Sequence, residues 1–347
     1  MSHTLACEVL LLSRHRVSGI ERYALDVLDH AHGPLNLLVG ASNARVGGLM
    51  GKAFSKGWTV TSFPFPGAVA GPLATLYVHR LHTIAGVHFF SVAPSLPIPS
   101  KPFSLTLHDV SAWVVPHTMS RGMQHVYRPL IQAAIKSSRF RGIVTVSEFS
   151  KQEIIKQFSL PSDRVAVVHQ SLDYLRDLEP QVPAGANQPF LLHVGTLEPR
   201  KNLHTLVGAF KTANLRRTNL YLVGRRGWGT GQLIQEIQSD TRIRWFPNVT
   251  DTELVWFYRN AAALVSTSLY EGVGLPVGEA LALGCPAIVS PIETYTALFS
   301  NQPHCLQYRS FDELVDALRN PPTRATSCGY ELPRTGSFDD ALRCLHG

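Results

Sequence analysis

The stretch Glu271-Gly-Val-Gly-Leu-Pro-Val-Gly-Glu279 holds two carboxylates on either side of a glycine-rich turn that leads into a helix. Pro276 suits the first helical position, because its fixed φ fits the helix and its missing N–H would have no partner there. Gly284 suits the position just past the end. The pattern therefore predicts a helix over residues 276–283, with Glu279 near its first turn and Glu271 on the loop before it.

The start of this helix has the properties of a nucleotide site. At Gly274 and Leu275, backbone N–H groups and the positive end of the helix dipole favour a bound anion such as a phosphate. Glu279, one turn into the helix, can accept hydrogen bonds from the diol of a ribose. Because phosphate and ribose occur together in nucleotides, Gly274, Leu275 and Glu279 are candidate nucleotide ligands.

A second motif predicts the same ligand. Leu191-Leu-His-Val-Gly195 is an apolar run typical of a buried strand, and the loop Thr196-Leu-Glu-Pro-Arg-Lys-Asn202 follows it directly. Open α/β sheets bind ligands at loops that follow strands. Arg200 offers a planar fork of donors and Lys201 a point charge, a pair suited to a diphosphate. Gly195, Arg200 and Lys201 are therefore candidate binding residues, and the alternative is a solvated Arg–Lys pair.

Together these motifs resemble the GT-B glycosyltransferases of family 4, a retaining group whose pattern is a Glu, seven residues and a second Glu. The resemblance covers most of the C-terminal half, at residues 193–210, 222–228 and 268–290, and continues more weakly at 18–23, 107–110 and 145–151. The subset that resembles this chain best contains bacterial mannosyl- and rhamnosyltransferases of polysaccharide assembly. Val273 and Gly278 stand where the family usually has Phe and Leu, and residues 291–298 depart from the family's Pro-Glu-Val run.

The resemblance implies an α/β fold of the GT-B class, with two Rossmann-like domains whose parallel sheets face each other across a cleft. Apolar strands spaced by helical patterns agree with it, at 143–146, 190–194, 219–223, 263–266 and 287–290. A Pro- and Gly-rich stretch at 179–185 marks a linker. We therefore expect an acceptor domain at 1–178, a linker at 179–188, a nucleotide-sugar-binding domain at 189–335 and, at 336–347, a short helix that returns to the first domain.

The resemblance also implies an activity. The expected reaction moves a hexose from a nucleotide diphosphate sugar, without a further cofactor, to a lipid-linked or oligosaccharide acceptor in polysaccharide biosynthesis. GDP-mannose is the first choice of donor, and UDP- and dTDP-sugars remain open. No Asp-x-Asp triplet occurs in the chain, which suits a metal-independent enzyme whose Arg200 and Lys201 offset the charge of the leaving diphosphate. Glu271 would line the donor sugar; its alternative role is a helix-capping carboxylate.

The N-terminal half contributes two candidates by resemblance. His108 follows a predicted strand at 103–107 and would approach the donor sugar, which makes it a candidate catalytic residue together with Glu271, Arg200 and Lys201. Gly19 lies before a helix predicted at 21–29, where it would let the backbone approach the donor phosphate. Asp109 is expected to cap the turn that follows it.

Composition narrows the class of protein. The 347 residues exceed what one core usually holds, so two domains are expected. The five cysteines are scattered without a Cys-x-x-Cys pair, which argues against a zinc site or a disulfide framework and favours a reducing cytoplasm. No zinc-finger spacing, RNP-like strand or basic heptad region is present, so nucleic acid is not an expected partner. The glycines at 224–231 do not space as in a dinucleotide-binding fingerprint.

Charge is uneven along the chain. Residues 1–180 hold 17 basic and 11 acidic side chains, a net charge of +6, whereas residues 181–347 hold 15 and 14. A helical-looking, acid-free segment at 110–147 collects five of the basic residues, namely Arg121, Arg128, Lys136, Arg139 and Arg141. It could dock on anionic lipid at the inner face of the cytoplasmic membrane, or pack on the sheet with its basic face in water.

Two readings stay open. Residues 57–100 carry Arg80 as their only formal charge, but prolines and glycines interrupt the stretch, so it is either a lipid- or acceptor-facing loop or buried sheet rather than a membrane span.

The competing function is a non-catalytic homologue that binds a nucleotide sugar and acts as the partner of another transferase. Residues 291–298 and the short C-terminal tail suggest it.

Overall fold

The computed structural model describes residues 4–10, 19–40, 44–63, 84–90, 100–187, 189–324, 330–332 and 336–346. Much of the apolar segment, at 64–83 and 91–99, lies outside the described residues. The chain divides into two compact units. The first consists of Met1–Trp113, Arg121–Gln170 and Pro333–Gly347, and the second of Val114–Ser120 and Ser171–Leu332.

Most strands of the described chain are followed by a helix. The strands are β1 (Thr4–Glu8), β2 (Leu35–Val39), β3 (Thr59–Ser62), β4 (Ile84–Phe89), β5 (Phe103–Thr106), β6 (Phe140–Thr145), β7 (Val165–Val167), β8 (Phe190–Val194), β9 (Asn219–Val223), β10 (Ile243–Phe246), β11 (Leu264–Ser266), β12 (Ala287–Val289) and β13 (Cys305–Gln307). The α-helices are α1 (Gly19–Asp29), α2 (Ala44–Ser55), α3 (Ser111–Val114), α4 (Arg128–Lys136), α5 (Glu148–Phe158), α6 (Leu203–Ala213), α7 (Gly231–Gln238), α8 (Asp251–Asn260), α9 (Leu275–Ala282), α10 (Glu293–Phe299), α11 (Phe311–Arg319) and α12 (Phe338–His346).

The first unit is built on a parallel sheet. Its described strands follow the order β3-β2-β1-β4-β5-β6-β7. The order reverses between β1 and β4, which pair from Leu5 beside Gly86 to Glu8 beside Phe89. Such a switch point opens a crevice at the carboxyl ends of the strands. His108 leaves β5 near this edge of the sheet.

The second unit repeats the plan with the order β10-β9-β8-β11-β12-β13, again parallel throughout the described strands. Alternate residues of each strand enter opposite core layers. Leu191 packs with Phe210 of α6 on one face, whereas Phe190 and Leu192 pack with Phe257 of α8 on the other. Helices thus cover both faces, which explains why these strands are continuous apolar runs rather than alternating ones. The α/β GT-B fold expected from the resemblance is confirmed at the level of its two Rossmann-like sheets.

The helix α12 belongs to the first unit. Its Asp339 carboxylate accepts hydrogen bonds from the N–H groups of His32, at 2.7 Å, and Gly33, at 3.1 Å. At the other end, His346 Nε2 lies 2.9 Å from Ser104 Oγ of β5. The short helix predicted at 336–347 is observed at Phe338–His346, with contacts at both of its ends to the first unit.

The change of unit differs from the predicted linker. The chain passes into the second unit between Gln170 and Ser171, ahead of residues 179–188. Those residues are held by the second unit itself, because Gln181 N–H donates to Thr252 O at 3.1 Å and Arg244 donates to Gly185 O. Composition marked a loop correctly, but it could not show which unit the loop packs against.

The basic segment at 110–147 also differs from its prediction. It is helical only as far as Lys136, through α3, a π turn at Met123–Tyr127 and α4. Arg139 directly precedes β6 and Arg141 lies within it, because the buried, β-branched run at 143–145 favours a strand. In the ranges described above, no helix is both long and apolar enough to cross a bilayer.

Candidate active site

The loops after β8 and β11 meet at the carboxyl edge of the second sheet. These two strands are neighbours although β9 and β10 separate them in the chain, and their pairing sets Leu192 beside Leu264. This is the switch point of the sheet, where doubly wound folds bind their ligands. The first loop brings Arg200 and Lys201 to it, and the second brings Glu271.

Glu271 joins both cations in one ion cluster. Lys201 Nζ donates to Glu271 Oε1 at 2.5 Å, and Arg200 Nη1 donates to Glu271 Oε2 at 2.9 Å. Ser268 Oγ also donates to Oε1, at 2.7 Å. On its other side Arg200 Nη2 lies 2.7 Å from Glu198 Oε1. Two acids thus balance two bases, and all four side chains are largely buried.

The cluster fixes the protonation state of Glu271. Burial alone would raise the pKa of its carboxyl, but the charges of Lys201 and Arg200, with hydrogen bonds from Lys201 and Ser268, outweigh burial and lower the pKa to about 2. Glu271 is therefore ionised at neutral pH. It can accept hydrogen bonds and balance positive charge, but it has no proton to give as a general acid.

Threonine hydroxyls hold the backbone of the cluster in place. Thr267 Oγ1, on the loop after β11, donates to Lys201 O on the loop after β8 at 2.9 Å. Thr294 Oγ1 of α10 donates to Glu271 O at 2.5 Å. The two loops are thereby tied to each other and to the helix that follows them, so the charged side chains rest on a fixed frame.

The helix α9 begins one residue past Gly274. Gly274 has φ 78°, and a Cβ there would come within 2.3 Å of the Tyr295 ring, so only glycine fits. Leu275 is the first helical residue, one position before the predicted start. The first N–H groups of a helix generally have no acceptor inside it, but here Pro276 has no N–H and Val277 N–H donates to Gly274 O at 2.8 Å. Anion binding at Gly274 and Leu275 stays a prediction.

Glu279 lies one turn into α9 and is buried. Tyr258 Oη of α8 donates to its Oε2 at 2.6 Å, and Tyr174 Oη donates to its Oε1. Its carboxylate is thus held by two phenols, while the carboxylate of Glu271 is held by two cations. The two acids of the motif therefore occupy different electrostatic surroundings, although the same helix start separates them.

Gly195 lies where the backbones of two loops come close. Its N–H donates to Val223 O at 2.9 Å, and a Cβ on Gly224 would come within 2.1 Å of Gly195 O. A Cβ on Gly195 itself would lie 3.3 Å from His193 Nε2 and 3.7 Å from Lys201 Nζ. Gly195 thus leaves the space beside Lys201 open.

The remaining candidates, His108 and Gly19, belong to the first unit. The His108 ring meets the Tyr23 ring edge-on with centroids 4.9 Å apart, and burial, partly offset by Asp109, lowers its pKa to about 4. Asp109 Oδ1 accepts from Ser111 N–H at 2.8 Å, so the predicted cap is confirmed. Gly19 is the first residue of α1, and a Cβ there would meet nothing within 4 Å. Its role toward a phosphate remains a prediction.

Three site residues escaped the sequence analysis. Tyr258 stands in an apolar helical run that indicates core packing, Tyr174 in a loop without a motif, and Glu198 two positions before Arg200. Only Glu198 carried a usable signal, since an acid beside two cations can pair with one of them. The tyrosines could not be found, because their partner lies far away in sequence.

Solved structures share this architecture. Over 91% of this chain and 89% of the other, it matches HepE of Anabaena in complex with UDP and glucose, with a TM-score of 0.65 and 16% identity. WaaG, a glycosyltransferase involved in lipopolysaccharide biosynthesis, matches over the same shares with a TM-score of 0.60 and 14% identity. At such identities the likeness concerns the fold, which is the two-sheet GT-B class of glycosyltransferases.

Sequence relatives are more specific. The O-antigen chain mannosyltransferase B of Escherichia coli is 34% identical over 203 residues, which are 54% of this chain and 52% of the relative. The O-antigen chain mannosyltransferase RfbU of Salmonella typhimurium is 27% identical over 204 residues, 57% of this chain and 54% of the relative. The alignments thus span about half the length of these relatives.

Residues 176–319 match the family model of glycosyl transferases group 1. The match contains the whole ion cluster, the start of α9 and both acids of the motif. Residues 176–319 are therefore similar to the glycosyl transferases group 1, and the fold of nearly the full chain is like that of solved glycosyltransferases.

Proposed function

We propose that this protein is a retaining, metal-independent glycosyltransferase that moves a hexose from a nucleotide diphosphate sugar to a lipid-linked or oligosaccharide acceptor. The observation that carries the proposal is the buried cluster of Arg200, Lys201 and Glu271 at the switch point of the second sheet, one loop before the start of α9. The two cations could hold the diphosphate, the nearby N–H groups at the start of α9 could hold its oxygens, and Glu271 could accept a hydroxyl of the sugar.

The ion cluster is a diphosphate site in its neutralised form. Glu198 and Glu271 balance Arg200 and Lys201, so an incoming diphosphate must take over hydrogen bonds that now go to Glu271. Charge-assisted bonds in a largely buried site are strong, and the exchange replaces one anion by another. The cations would then stabilise the β-phosphate as it leaves the sugar.

The other candidates take roles around this centre. The first turn of α9 would hold phosphate oxygens through Gly274 and Leu275, and Glu279 would accept the ribose hydroxyls. Glu271, ionised and released from part of its pairing, would accept a hydroxyl of the donor sugar, and His108 of the first unit would approach the same sugar. During transfer, the bond from the anomeric carbon to the diphosphate oxygen breaks and a bond to the acceptor hydroxyl oxygen forms.

Mannose is the proposed sugar, and GDP-mannose the first donor to test. The support is the similarity of a little more than half of the chain to two O-antigen mannosyltransferases. Among the described residues, no group of three or more His, Cys, Asp and Glu side chains is placed to hold a metal ion. Support for metal independence comes from the two buried cations, which supply positive charge where a divalent ion would otherwise act.

A ligand screen followed by a transfer assay tests the proposal. GDP-mannose, UDP-glucose and dTDP-rhamnose are compared by thermal shift, since a ligand at 100 times its Kd stabilises a protein by about 2.7 kcal/mol. The stabilising donor is then incubated with lipid-linked oligosaccharide acceptors, with and without EDTA. We expect one donor to bind, and its sugar to be transferred with retention at a rate that EDTA does not change.

Two outcomes would contradict the proposal. No stabilisation by any nucleotide sugar would remove the donor site. Binding without transfer or donor hydrolysis, for every acceptor offered, would favour a non-catalytic partner of another transferase. Lys201→Ala should reduce the ligand's stabilisation from about 2.7 to about 1.4 kcal/mol or less, while Lys211→Ala, which removes a lysine of the same unit on α6, should leave the thermal shift intact.

A further inference from the structure

Both oxygens of the Glu279 carboxylate accept a phenolic hydrogen bond. Tyr258 Oη donates to Oε2 at 2.6 Å and Tyr174 Oη donates to Oε1. A carboxylate offers about four acceptor directions, so two remain for further donors. A hydroxyl of a ribose and a phenol are the same kind of donor to this group.

The two tyrosines are held very differently. Tyr258 is fully buried in α8, inside the core layer that contains Phe257, and its backbone carbonyl accepts from Arg324 Nη2 at 3.2 Å. Burial and the neighbouring Glu279 charge raise the pKa of Tyr258 well above its usual value, so it stays a hydrogen-bond donor. Tyr174 is only half-buried and lies in a single 3₁₀ turn, Asp173–Leu175.

The chain before that turn packs against α9 at Gly278, which has no side chain. A Cβ on Gly278 would lie 3.1 Å from Leu172 Cδ1 and 3.5 Å from Tyr330 Cε1. The chain around Leu172 therefore packs directly on the helix, and Tyr174, two residues later, reaches the carboxylate of Glu279. A larger side chain at position 278, such as the leucine usual in the family that the sequence resembles, would have to displace the Leu172 side chain.

We propose that Tyr258 is a positioning residue that orients Glu279 toward a ribose diol, and that Tyr174 occupies, in the ligand-free protein, the place of one ribose hydroxyl. The inference rests on the proposed function, since it requires that Glu279 binds ribose. Tyr258 cannot leave without unpacking the core. Tyr174 can yield its bond by a movement of one turn, and the ribose hydroxyl then restores that bond.

The proposal is tested by comparing ribose with its dideoxy form. GDP and UDP, with their 2′,3′-dideoxy analogues, are titrated by calorimetry into the wild type and the variants Tyr258→Phe, Tyr174→Phe and Glu279→Gln. For the base that binds, the wild type should prefer the ribonucleotide roughly tenfold to a hundredfold, since hydroxyl bonds to a carboxylate are charge-assisted. Glu279→Gln should lose most of that preference.

The tyrosine variants should move the preference in opposite directions. Tyr258→Phe should lower ribonucleotide affinity about threefold to tenfold and leave dideoxy affinity nearly unchanged. Tyr174→Phe should raise ribonucleotide affinity severalfold, because the ligand-free carboxylate then lacks a partner that the ribose supplies. Tyr221→Phe, which removes a buried phenol that donates to Asn187 O in the same unit, should keep the wild-type preference.

The outcomes distinguish this inference from the proposed function on which it rests. Equal affinity of the wild type for ribose and dideoxy forms would overturn both the ribose role of Glu279 and this inference. A preference that depends on Glu279 but survives Tyr258→Phe unchanged would overturn the positioning role alone. Weaker ribonucleotide binding by Tyr174→Phe would overturn the stand-in role. If Tyr258→Phe folds poorly, the ratio of the two affinities still reports on the folded fraction, and the Tyr174 variant carries the test independently.

Discussion

At the scale of single residues, Lys201 and Arg200 both donate hydrogen bonds to one carboxylate, that of Glu271. Glu271 lies 70 positions from Lys201 in the chain, yet their charged atoms are 2.5 Å apart. In the ligand-free protein this acid acts as the counter-charge of the pair. In the proposed function, binding of a diphosphate would be a competition between two anions for the same donors, and the strength of the internal pairing would set part of the donor affinity.

Substitution of either cation should weaken nucleotide binding. Arg200→Ala and Lys201→Ala each remove charged hydrogen bonds to phosphate, whose loss costs about 1.5–3 kcal/mol, or roughly tenfold to a hundredfold in Kd. Calorimetry with the selected nucleoside diphosphate measures the effect. Lys211→Ala and Arg319→Ala are matched controls on α6 and α11. Unchanged affinity in both site variants would remove these residues from the site.

Substitution of the two glutamates by glutamine should affect different steps. Glu279→Gln should weaken binding of the bare nucleoside diphosphate, because an amide makes a poorer bond to the ribose diol. Glu271→Gln should not weaken that binding, since it removes a competing anion, but it should lower kcat with the full donor. Titrations and single-turnover rates on both variants distinguish them. Wild-type transfer by both would make the motif structural in this chain.

The sequence identified the charged residues but not their pairing. Glu271, Glu279, Arg200 and Lys201 were predicted from local spacing around loops and a helix start. The bond between Tyr174 and Glu279 spans 105 positions, and nothing local to either residue indicates it. Contacts of this kind arise from the order of strands in the sheet, which brings distant loops to one edge.

At the scale of elements, the two sheets were predictable where strands are buried on both faces. The strands at Phe190–Val194 and Asn219–Val223 are observed with their predicted bounds, because a continuous apolar run has few other uses in an α/β protein. The strand β13 at Cys305–Gln307 lies at the sheet edge and is only partly buried, and no pattern predicted it. Edge strands lose half the packing that makes an apolar run conspicuous.

The basic segment of the first unit gives a prediction at this scale. Arg121, Lys136 and Arg139 are exposed around α4, and each basic residue near an anionic surface contributes about 1 kcal/mol. Changing all three to Gln should lower binding to phosphatidylglycerol vesicles by roughly a hundredfold. Because the attraction is screened within about 8–10 Å at physiological salt, high salt should release the wild type as well.

The vesicle experiment has a matched control. Arg216, Arg217 and Arg309 are exposed arginines of the second unit, and their triple Gln variant changes the net charge by the same amount. It should sediment with vesicles like the wild type. Equal recovery of all proteins in the supernatant at low salt would remove the membrane from the proposed partners.

At the scale of the whole molecule, four buried or partly buried imidazoles link stability to pH. Burial lowers the pKa of His88 to about 3 and, with smaller local charge effects, those of His108, His193 and His346 to about 4. The unfolded chain binds these protons near pH 6.5. The stability that neutral histidines contribute is therefore present above pH 6.5 and is lost as the pH falls from there toward 4.

Urea unfolding should show this dependence directly. Each such histidine adds a slope of up to about 1.4 kcal/mol per pH unit between pH 6 and 4.5. The pKa of Glu271 is lowered to about 2, so the stability that its ionised carboxylate contributes is lost only below pH 4.5. His88→Gln should reduce the slope by the contribution of one proton, which is up to about 1.4 kcal/mol per pH unit. Ile237→Val lowers stability without removing a titrating group, so it should leave the slope unchanged. A stability that stays constant from pH 7 to 4.5 would contradict this linkage.

The position of α12 also has a consequence for biosynthesis. The first unit is closed by a helix from the far end of the chain, where Asp339 binds the loop at His32 and Gly33. At about 5–20 residues per second, translation of the stretch between β7 and α12 takes on the order of ten to thirty seconds. During that time the ribosome presents a sheet whose covering helix has not yet been made. We therefore expect the second unit to finish folding first, and chaperones to engage the nascent N-terminal half.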